Sequence, residues 1–455
     1  MSRIQPLPSA AGGVLPFEQA RHLVEQQARN VAPSEPDTID LSAASGRILA
    51  EELVADRDFP PFARATRDGF AVRTADVTKV PARLEVIGEL KAGDSPDRYI
   101  ISRAQAIAIM TGAPLPAGAD AVVMVEHASE IRDRETANAG KSPKLIDVHR
   151  SVNGGDNFVA RAAEAREGQA LLNRGHRLDY SAIAIAASVG KSKVQVFRKP
   201  RVAVLSTGDE VVDISAHPGP AQIRNSNSYS LAAQIDNAGG EPVQLPIAPD
   251  ERGQLRVLIE QGLSCDLLLL TGGVSMGKYD LVEQVLGELK AEFYFTGAEI
   301  QPGRPVVFGA CSDLASDLCG AGAPARLSAA DLQSERARAP ALHKKYFFGL
   351  PGNPVSTMVT FELFARPMIE ALSGMAPKPL IFLSARLKSE IHTKTGLKRF
   401  LPAVLAGEFE RSEVELTRWQ GSGDIAAMAR SNCYVVIPPD RERIEAGEWV
   451  SLLMR

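Results

Sequence analysis

Three times between residues 200 and 373, a short apolar run ends in a glycine-bearing loop and gives way to a helical pattern. Arg201–Ser206 leads into Thr207-Gly208-Asp209-Glu210, Asp266–Leu270 into Thr271-Gly272-Gly273-Val274-Ser275, and Tyr346–Gly349 into Leu350-Pro351-Gly352-Asn353-Pro354. Runs this short and this uninterrupted read as strands buried on both faces, and the intervening stretches read as their covering helices. Leu255, Leu258 and Ile259 fall at helical spacing, as do Leu281, Val282, Val285, Leu286 and Leu289. Asn225 is placed to cap a helix through Ala238, with Gly239-Gly240 as its stop. A long helix follows Pro354 to about Leu372. The expectation is a central α/β domain over 200–373 with a parallel sheet covered on both faces.

The flanks follow other rules. Phe17, Ala20, Leu23 and Val24 start residues 17–55 as a one-faced helix, and the adjacent Pro60-Pro61 forces the segment before Asp68 into a rigid loop. Residues 80–180 read as short strands between Gly and Pro turns, among them Leu84–Leu90 and Ala121–Glu126. Strands and turns return after Gly374. The chain, at 455 residues, has room for three or four domains of ordinary size. We divide it into an N-terminal region 1–199 of two interleaved β-rich domains with a leading helix, the α/β domain 200–373, and a small β-barrel domain 374–455. The fold class is thus multidomain α+β. The Ala-, Arg- and Ser-rich stretch 313–342 reads as a surface insertion between two strands of the sheet.

In a sheet of this kind, ligands bind beyond the carboxyl ends of the strands. Glycines let backbone amides approach an anion, and helix N-termini favour negative charge. Gly272, Gly273 and Gly352 are therefore candidate phosphate holders, although each could simply turn the chain. Asp209, Glu210 and Asp280 gather on the same loops. Carboxylates and phosphates repel unless a cation lies between them, and Mg²⁺ bound by one or two carboxylates and by substrate phosphates resolves the conflict. A turn cap for Asp209 and a helix cap for Asp280 are the structural alternatives. Ser275 suits hydrogen bonding better than nucleophilic attack, since no partner base is evident.

Much is excluded. Basic and acidic residues number 51 and 55, and aromatics make up 5% of the chain, which gives no basic, aromatic-rich face for nucleic acid. The seven histidines are scattered, and the four cysteines form neither a C-x-x-C pair nor a disulfide framework, so zinc is not expected. No run approaches the roughly 20 apolar residues of a membrane span, and residues 1–16 lack the pattern of a secretory signal. A cytoplasmic protein is expected.

Six segments, in this order, resemble the molybdopterin molybdenumtransferase family, which includes bacterial MoeA and the C-terminal region of gephyrin. They are Thr66-Arg67-Asp68-Gly69-Phe70-Ala71-Val72, Ile109-Met110-Thr111-Gly112-Ala113-Pro114, Ser206 to Glu210, Thr271 to Gly277, Pro302-Gly303-Arg304-Pro305, and Gly349 to Ser356. The resemblance implies a MogA-like α/β domain among four structural domains, and a homodimer whose active site joins that domain to a loop of the other subunit. It implies that molybdate is inserted into adenylylated molybdopterin with release of AMP and with Mg²⁺ present. Other cofactor-synthesis proteins would be further partners. By the same resemblance Asp68, Thr111, Glu210 and Asp280 are catalytic, with Asp68 and Thr111 supplied by the partner subunit. Gly272, Gly273, Ser275, Pro302, Arg304, Pro305, Gly352 and Asn353 would bind substrate, and Glu210, Asp280 and Asn225 would hold the metal.

Three departures from the family pattern stand out. Asn225 occupies a place where the family usually has an acidic residue, Ala162-Ala163-Glu164 replaces a Gly-Glu-Asp segment, and Gln301 stands where lysine is common. Two other readings accompany the first: a molybdopterin adenylyltransferase-like enzyme, and a catalytically impaired paralogue acting as a cofactor-binding scaffold.

Overall fold

A computed structural model describes residues 12–131, 144–273, 281–312 and 344–455. Ser275, Asp280 and the expected insertion 313–342 lie outside the described residues.

The central sheet runs Glu241–Gln244, Arg201–Ser206, Leu267–Thr271, Lys345–Leu350, Val307–Cys311, Glu292–Phe295. The first four strands are mutually parallel, as expected. Val307–Cys311, a strand outside the expected set, runs antiparallel to both of its neighbours, Lys345–Leu350 and Glu292–Phe295. An antiparallel neighbour needs no crossover helix, and no helix lies between Phe295 and Val307. Alternation along each strand divides the core. Val202, Val204, Leu267 and Leu269 pack with Leu231, Ile235 and Val355 on one face, whereas Ala203, Leu205, Leu268 and Leu270 meet Leu255, Ile259 and Val282 on the other.

The helix after Asn353 does reach Leu372, but with a widened turn at Phe361–Ala365 between Pro354–Thr360 and Arg366–Leu372. Pro367 has no N–H to offer the carbonyl of Leu363 four residues back. Arg21, on the N-terminal helix Phe17–Arg29, supplies the missing donor through Nη1. Burial pushes the Arg21 guanidinium down, and Glu25 and Glu370 oppose that shift. Phe17 packs on Phe364 and Phe400, with ring centroids 6.1 and 5.3 Å apart, so this leading helix is seated between the α/β domain and the barrel.

The N-terminal region is interleaved. Pro36–Asp40 pairs with Lys193–Phe197, and Leu53–Val54 pairs with Ala170–Leu172. The chain between them folds into a separate six-stranded sheet spanning Gly69 to Val148. A helix at Tyr180–Ser188 was not foreseen; its apolar residues lie all round it, and its clearest signal is Asp179, whose Oδ1 accepts from Ala182 N at 2.9 Å. At the C-terminal end, five strands between Phe382 and Met454 close on themselves through the pairing of Lys398–Ala406 with Cys433–Ile437, giving the expected barrel. Ile300–Gln301 adds to Lys398 and Arg399 in parallel. That splice holds the Pro302–Pro305 loop against the barrel.

Candidate functional site

A cleft of about 370 Å³ opens at the carboxyl ends of strands Arg201–Ser206, Leu267–Thr271 and Lys345–Leu350. Its three loops are locked together. Gly272 and Gly273 have φ of +90° and +61°, and a Cβ on Gly272 would lie 2.4 Å from the carbonyl oxygen of Thr207. Only glycine allows that approach. A Cβ on Gly352 would meet nothing nearer than 3.5 Å, so protein contacts alone do not demand glycine there.

Asn227 is the clamp. Its Nδ2 donates to Thr271 Oγ1 at 2.9 Å and to the Gly352 carbonyl at 2.8 Å. Because a carbonyl can only accept, this contact also fixes which side-chain atom is the nitrogen. Asn227 Oδ1 and Thr207 Oγ1 are both buried in the cleft wall without a partner. Asn225 lies beneath the clamp, with its Oδ1 accepting from Ser206 Oγ and Ser228 N, each at 3.1 Å. Asn225 thus does cap the helix Asn227–Ala238, which ends at Gly239 in the left-handed conformation. Both lone pairs of that oxygen are engaged, leaving little for a metal.

The cleft lining carries both signs of charge, with Glu210 and Arg224. Just outside that lining, Asp209 Oδ1 accepts from Asp250 N at 3.1 Å. Burial, then the Asp209 and Glu210 charges, push Asp250 above the ordinary carboxyl range. Among the described residues no three His, Cys, Asp or Glu side chains converge to hold a metal ion unaided.

Beside the cleft, and sharing Pro305, Pro351 and Asn353 with it, lies a crevice of about 650 Å³ between the α/β domain and the barrel. Gln301, Pro302 and Arg304 contribute one wall; Lys394, Arg399 and Trp419 contribute the other. Arg399 is 7% exposed, its Nη1 donates to the Leu397 carbonyl at 3.1 Å, and burial pushes its pKa down. Among the described residues, no carboxylate forms an ion pair with Arg304, Lys394 or Arg399. The charge is left for an incoming anion.

The expected Asp68 and Thr111 meet each other. Thr111 N and Oγ1 donate to Asp68 Oδ1 at 2.7 and 2.8 Å, which holds the carboxyl below its usual range. Neither residue lines the cleft or the crevice. Nearby, Glu164 pairs with Arg64 at 2.8 Å, so the Ala162-Ala163-Glu164 segment braces the loop that precedes Asp68. Ala162 sits at φ +60°, a conformation that suits glycine better.

Three family models match in succession. The MoeA N-terminal region (domain I and II) covers residues 15–190, a probable molybdopterin binding domain covers 203–371, and the MoeA C-terminal region (domain IV) covers 384–454. A molybdopterin molybdenumtransferase of Nostoc sp. is 32% identical over 92% of this chain and 89% of its own. The chain belongs to the MoeA family. The Bacillus subtilis molybdopterin molybdenumtransferase is 29% identical over 92% of this chain and 90% of its own length. A Pyrococcus horikoshii MoeA structure superimposes with a TM-score of 0.71 at 25% identity, covering 97% of this chain and all of that one. On this MoeA framework the cleft falls in the probable molybdopterin binding domain, whereas Lys394, Arg399 and Trp419 belong to the C-terminal region.

Of the expected site residues, Glu210, Asn225, Gly272, Gly273 and Gly352 come together in the cleft, and Pro302 and Arg304 lie in the crevice, with Pro305 and Asn353 common to both. Sequence reasoning missed Asn227, Asp250 and Arg399. Asn227 lies two residues past Asn225, at the first turn of the helix, where a side chain aimed at a neighbouring loop was the available signal.

Proposed function

We infer that this chain is a molybdopterin molybdenumtransferase of molybdenum cofactor biosynthesis, and that its substrates are adenylylated molybdopterin and molybdate. The observation that carries the reading is the pair of adjoining cavities, one glycine-rich with Glu210 and Arg224 in its lining, the other lined by Arg304, Lys394 and Arg399. A nucleotide phosphate suits the first, where backbone at Gly272, Gly273 and Gly352 can approach closely. A tetrahedral oxyanion suits the second, where Arg304, Lys394 and Arg399 supply charge-assisted donors.

Magnesium fits the cleft. Burial and then the Asp209 and Glu210 charges push Asp250 up, and a divalent cation would offset the charge part, with Glu210 and substrate phosphate oxygens as ligands. Asp280 is a further candidate ligand. Bound there, the ion would neutralise phosphate charge and ease departure of AMP. The chain's own groups do the rest. The Asn227 clamp keeps the three loops in register, and Arg399 and Arg304 hold molybdate at the shared wall of Pro305 and Asn353. A molybdate oxygen attacks the molybdopterin-side phosphorus, the bridging P–O bond breaks, and AMP leaves with the electron pair and the bridging oxygen; the dithiolene sulfurs then bind molybdenum as its bond to the transferred oxygen breaks, which leaves that oxygen on the phosphate. Positioning and charge stabilisation account for the rate, without a protein nucleophile.

Since Asp68 and Thr111 line neither cavity, a homodimer that brings them from a second copy is part of this reading. No helix among the described residues is long and apolar enough to cross a membrane, and a cytoplasmic setting agrees with that. The test is molybdate-dependent AMP release from adenylylated molybdopterin by the purified protein with Mg²⁺. Release supports the transferase; folded protein that binds the substrate but never releases AMP overturns it.

A further inference from the structure

A third cavity lies away from the cleft and the crevice, with a volume of about 440 Å³. Its wall comes from residues 173–179 of the N-terminal region and from Lys378, just past the helix that ends at Leu372. Arg174, Arg177 and Lys378 face it, together with His176, against the single carboxylate of Asp179. Asp179 Oδ1 accepts from Ser181 Oγ at 2.6 Å and from Ala182 N at 2.9 Å to cap the next helix, so one carboxylate stands against the three basic side chains.

The cations are held in place without being neutralised. The Arg174 guanidinium lies 4.8 Å from the centroid of the Phe197 ring. Arg177 donates to two carbonyl oxygens, of Gly46 at 3.4 Å and Ala238 at 3.1 Å, which orient it and carry no formal charge. Glu370 is the carboxylate that acts on Arg177, and it is shared with Arg366 and Arg21. Among the described residues neither Arg174 nor Lys378 forms an ion pair. Gly175, at φ +87°, lets the wall approach the Gly374 carbonyl, which a Cβ would meet at 3.0 Å. Oriented guanidinium groups with unused donors match the forked geometry of a phosphate oxyanion.

We propose that this pocket is a second anion site, binding a phosphate group between the N-terminal region and the segment that leads to the barrel. The phosphate is either a free ion or part of a phosphorylated small molecule. The site is independent of the transferase reading, because none of its residues lines the cleft or the crevice.

The full chain is titrated calorimetrically with inorganic phosphate, and in a second arm with ATP, at constant ionic strength held with chloride. Wild type is compared with Arg174→Ala/Lys378→Ala, with Lys378→Ala alone as the milder variant should the double variant fold poorly. The proposal expects the double variant to bind about tenfold more weakly or worse. Loss seen with phosphate assigns the free ion; loss seen with ATP alone assigns a larger phosphorylated ligand. Isotherms identical in wild type and variants would place all binding in the glycine-rich cleft and overturn the proposal, as would an absence of binding in both arms.

Discussion

The cleft beyond the parallel strands and the crevice beside the barrel share Pro305, Pro351 and Asn353, yet they differ in charge: Glu210 and Arg224 both line the cleft, whereas the charged residues of the crevice are all cations. Beside the cleft, burial and then the Asp209 and Glu210 charges push Asp250 above the ordinary carboxyl range. In the crevice, Arg399 is buried beside Arg304 and Lys394 without a carboxylate among the described residues to pair with it. Under the proposed function, a cation at Glu210 together with the glycine-rich backbone would let the first take a phosphate. The second attracts an anion directly. A chain that must bring a nucleotide-bearing substrate and an oxyanion to one point can keep them from repelling each other in this way: each is held by its own charge, and they meet at an uncharged shared wall.

The comparison breaks first at Glu210. Glu210→Gln removes the proposed magnesium ligand, so AMP release at fixed magnesium should fall about 10²-fold and recover in part at high magnesium. The KM for molybdate should not move. The same change removes one of the charges that raise Asp250, and a carbon-13 titration of that carboxyl should show its pKa falling. An unmoved Asp250, or a molybdate KM that rises in step, would mean the two cavities are one electrostatic unit.

Arg399 gives the converse. Arg399→Ala should raise the KM for molybdate about 10- to 100-fold, since a charge-assisted hydrogen bond contributes about 1.5–3 kcal/mol. AMP binding by calorimetry should be unchanged. Arg399→Met, which keeps the packed stem of the side chain, separates lost charge from lost packing. If AMP binding weakens equally in both variants, the crevice does not act separately from the cleft.

The two cavities also differ in how far the sequence reveals them. The cleft was legible because its parts are local: strand, glycine loop and helix lie within a few residues of each other, and Gly272, Gly273 and Gly352 mark the turns. The crevice was only half legible. Pro302 to Pro305 stood out as a motif, but Lys394 and Arg399 reach it only because Ile300–Gln301 pairs with Lys398 and Arg399 across the domain boundary. Pairing between segments so distant leaves no periodicity to read. The same limit hid the antiparallel strand Val307–Cys311, the edge strand Glu292–Phe295 beside it and the donation by Arg21 to Leu363. Asn227 was overlooked for another reason: beside Asn225 and Ser226, a third polar residue at a helix start reads as capping.

Asn227 therefore tests whether the cleft depends on its clamp. Asn227→Ala deletes the bonds to Thr271 and Gly352, each contributing about 1 kcal/mol, so the amides of Gly352 and Asn353 should exchange hydrogen roughly tenfold faster. Asn227→Asp should be worse than alanine, because a carboxylate oxygen would face the Gly352 carbonyl. Exchange in the barrel wall near Arg399 should stay as it was. If both walls loosen together, the clamp belongs to the whole site and the cleft is not a separately built half.

The smallest effect is expected furthest from both cavities, at the pair formed by Asp68 and Thr111. Two donors from Thr111 hold the Asp68 carboxyl below its usual range. Its folded pKa is thus below the unfolded value, and the contribution of this contact to stability is complete above the unfolded pKa and is lost as pH falls through the folded one. Thr111→Val keeps the backbone donor and deletes the hydroxyl, so the Asp68 pKa should rise part-way towards the ordinary aspartate value in a carbon-13 titration. Asp68 remains ionised near neutrality in either case. Activity at neutral pH should accordingly change much less than with Glu210→Gln if Thr111 only orients Asp68. A loss as deep as that of Glu210→Gln, with Asp68 still titrating as expected, would mean that the Thr111 hydroxyl touches the substrate itself, and the site would then have three walls, one of them from a second copy of the chain.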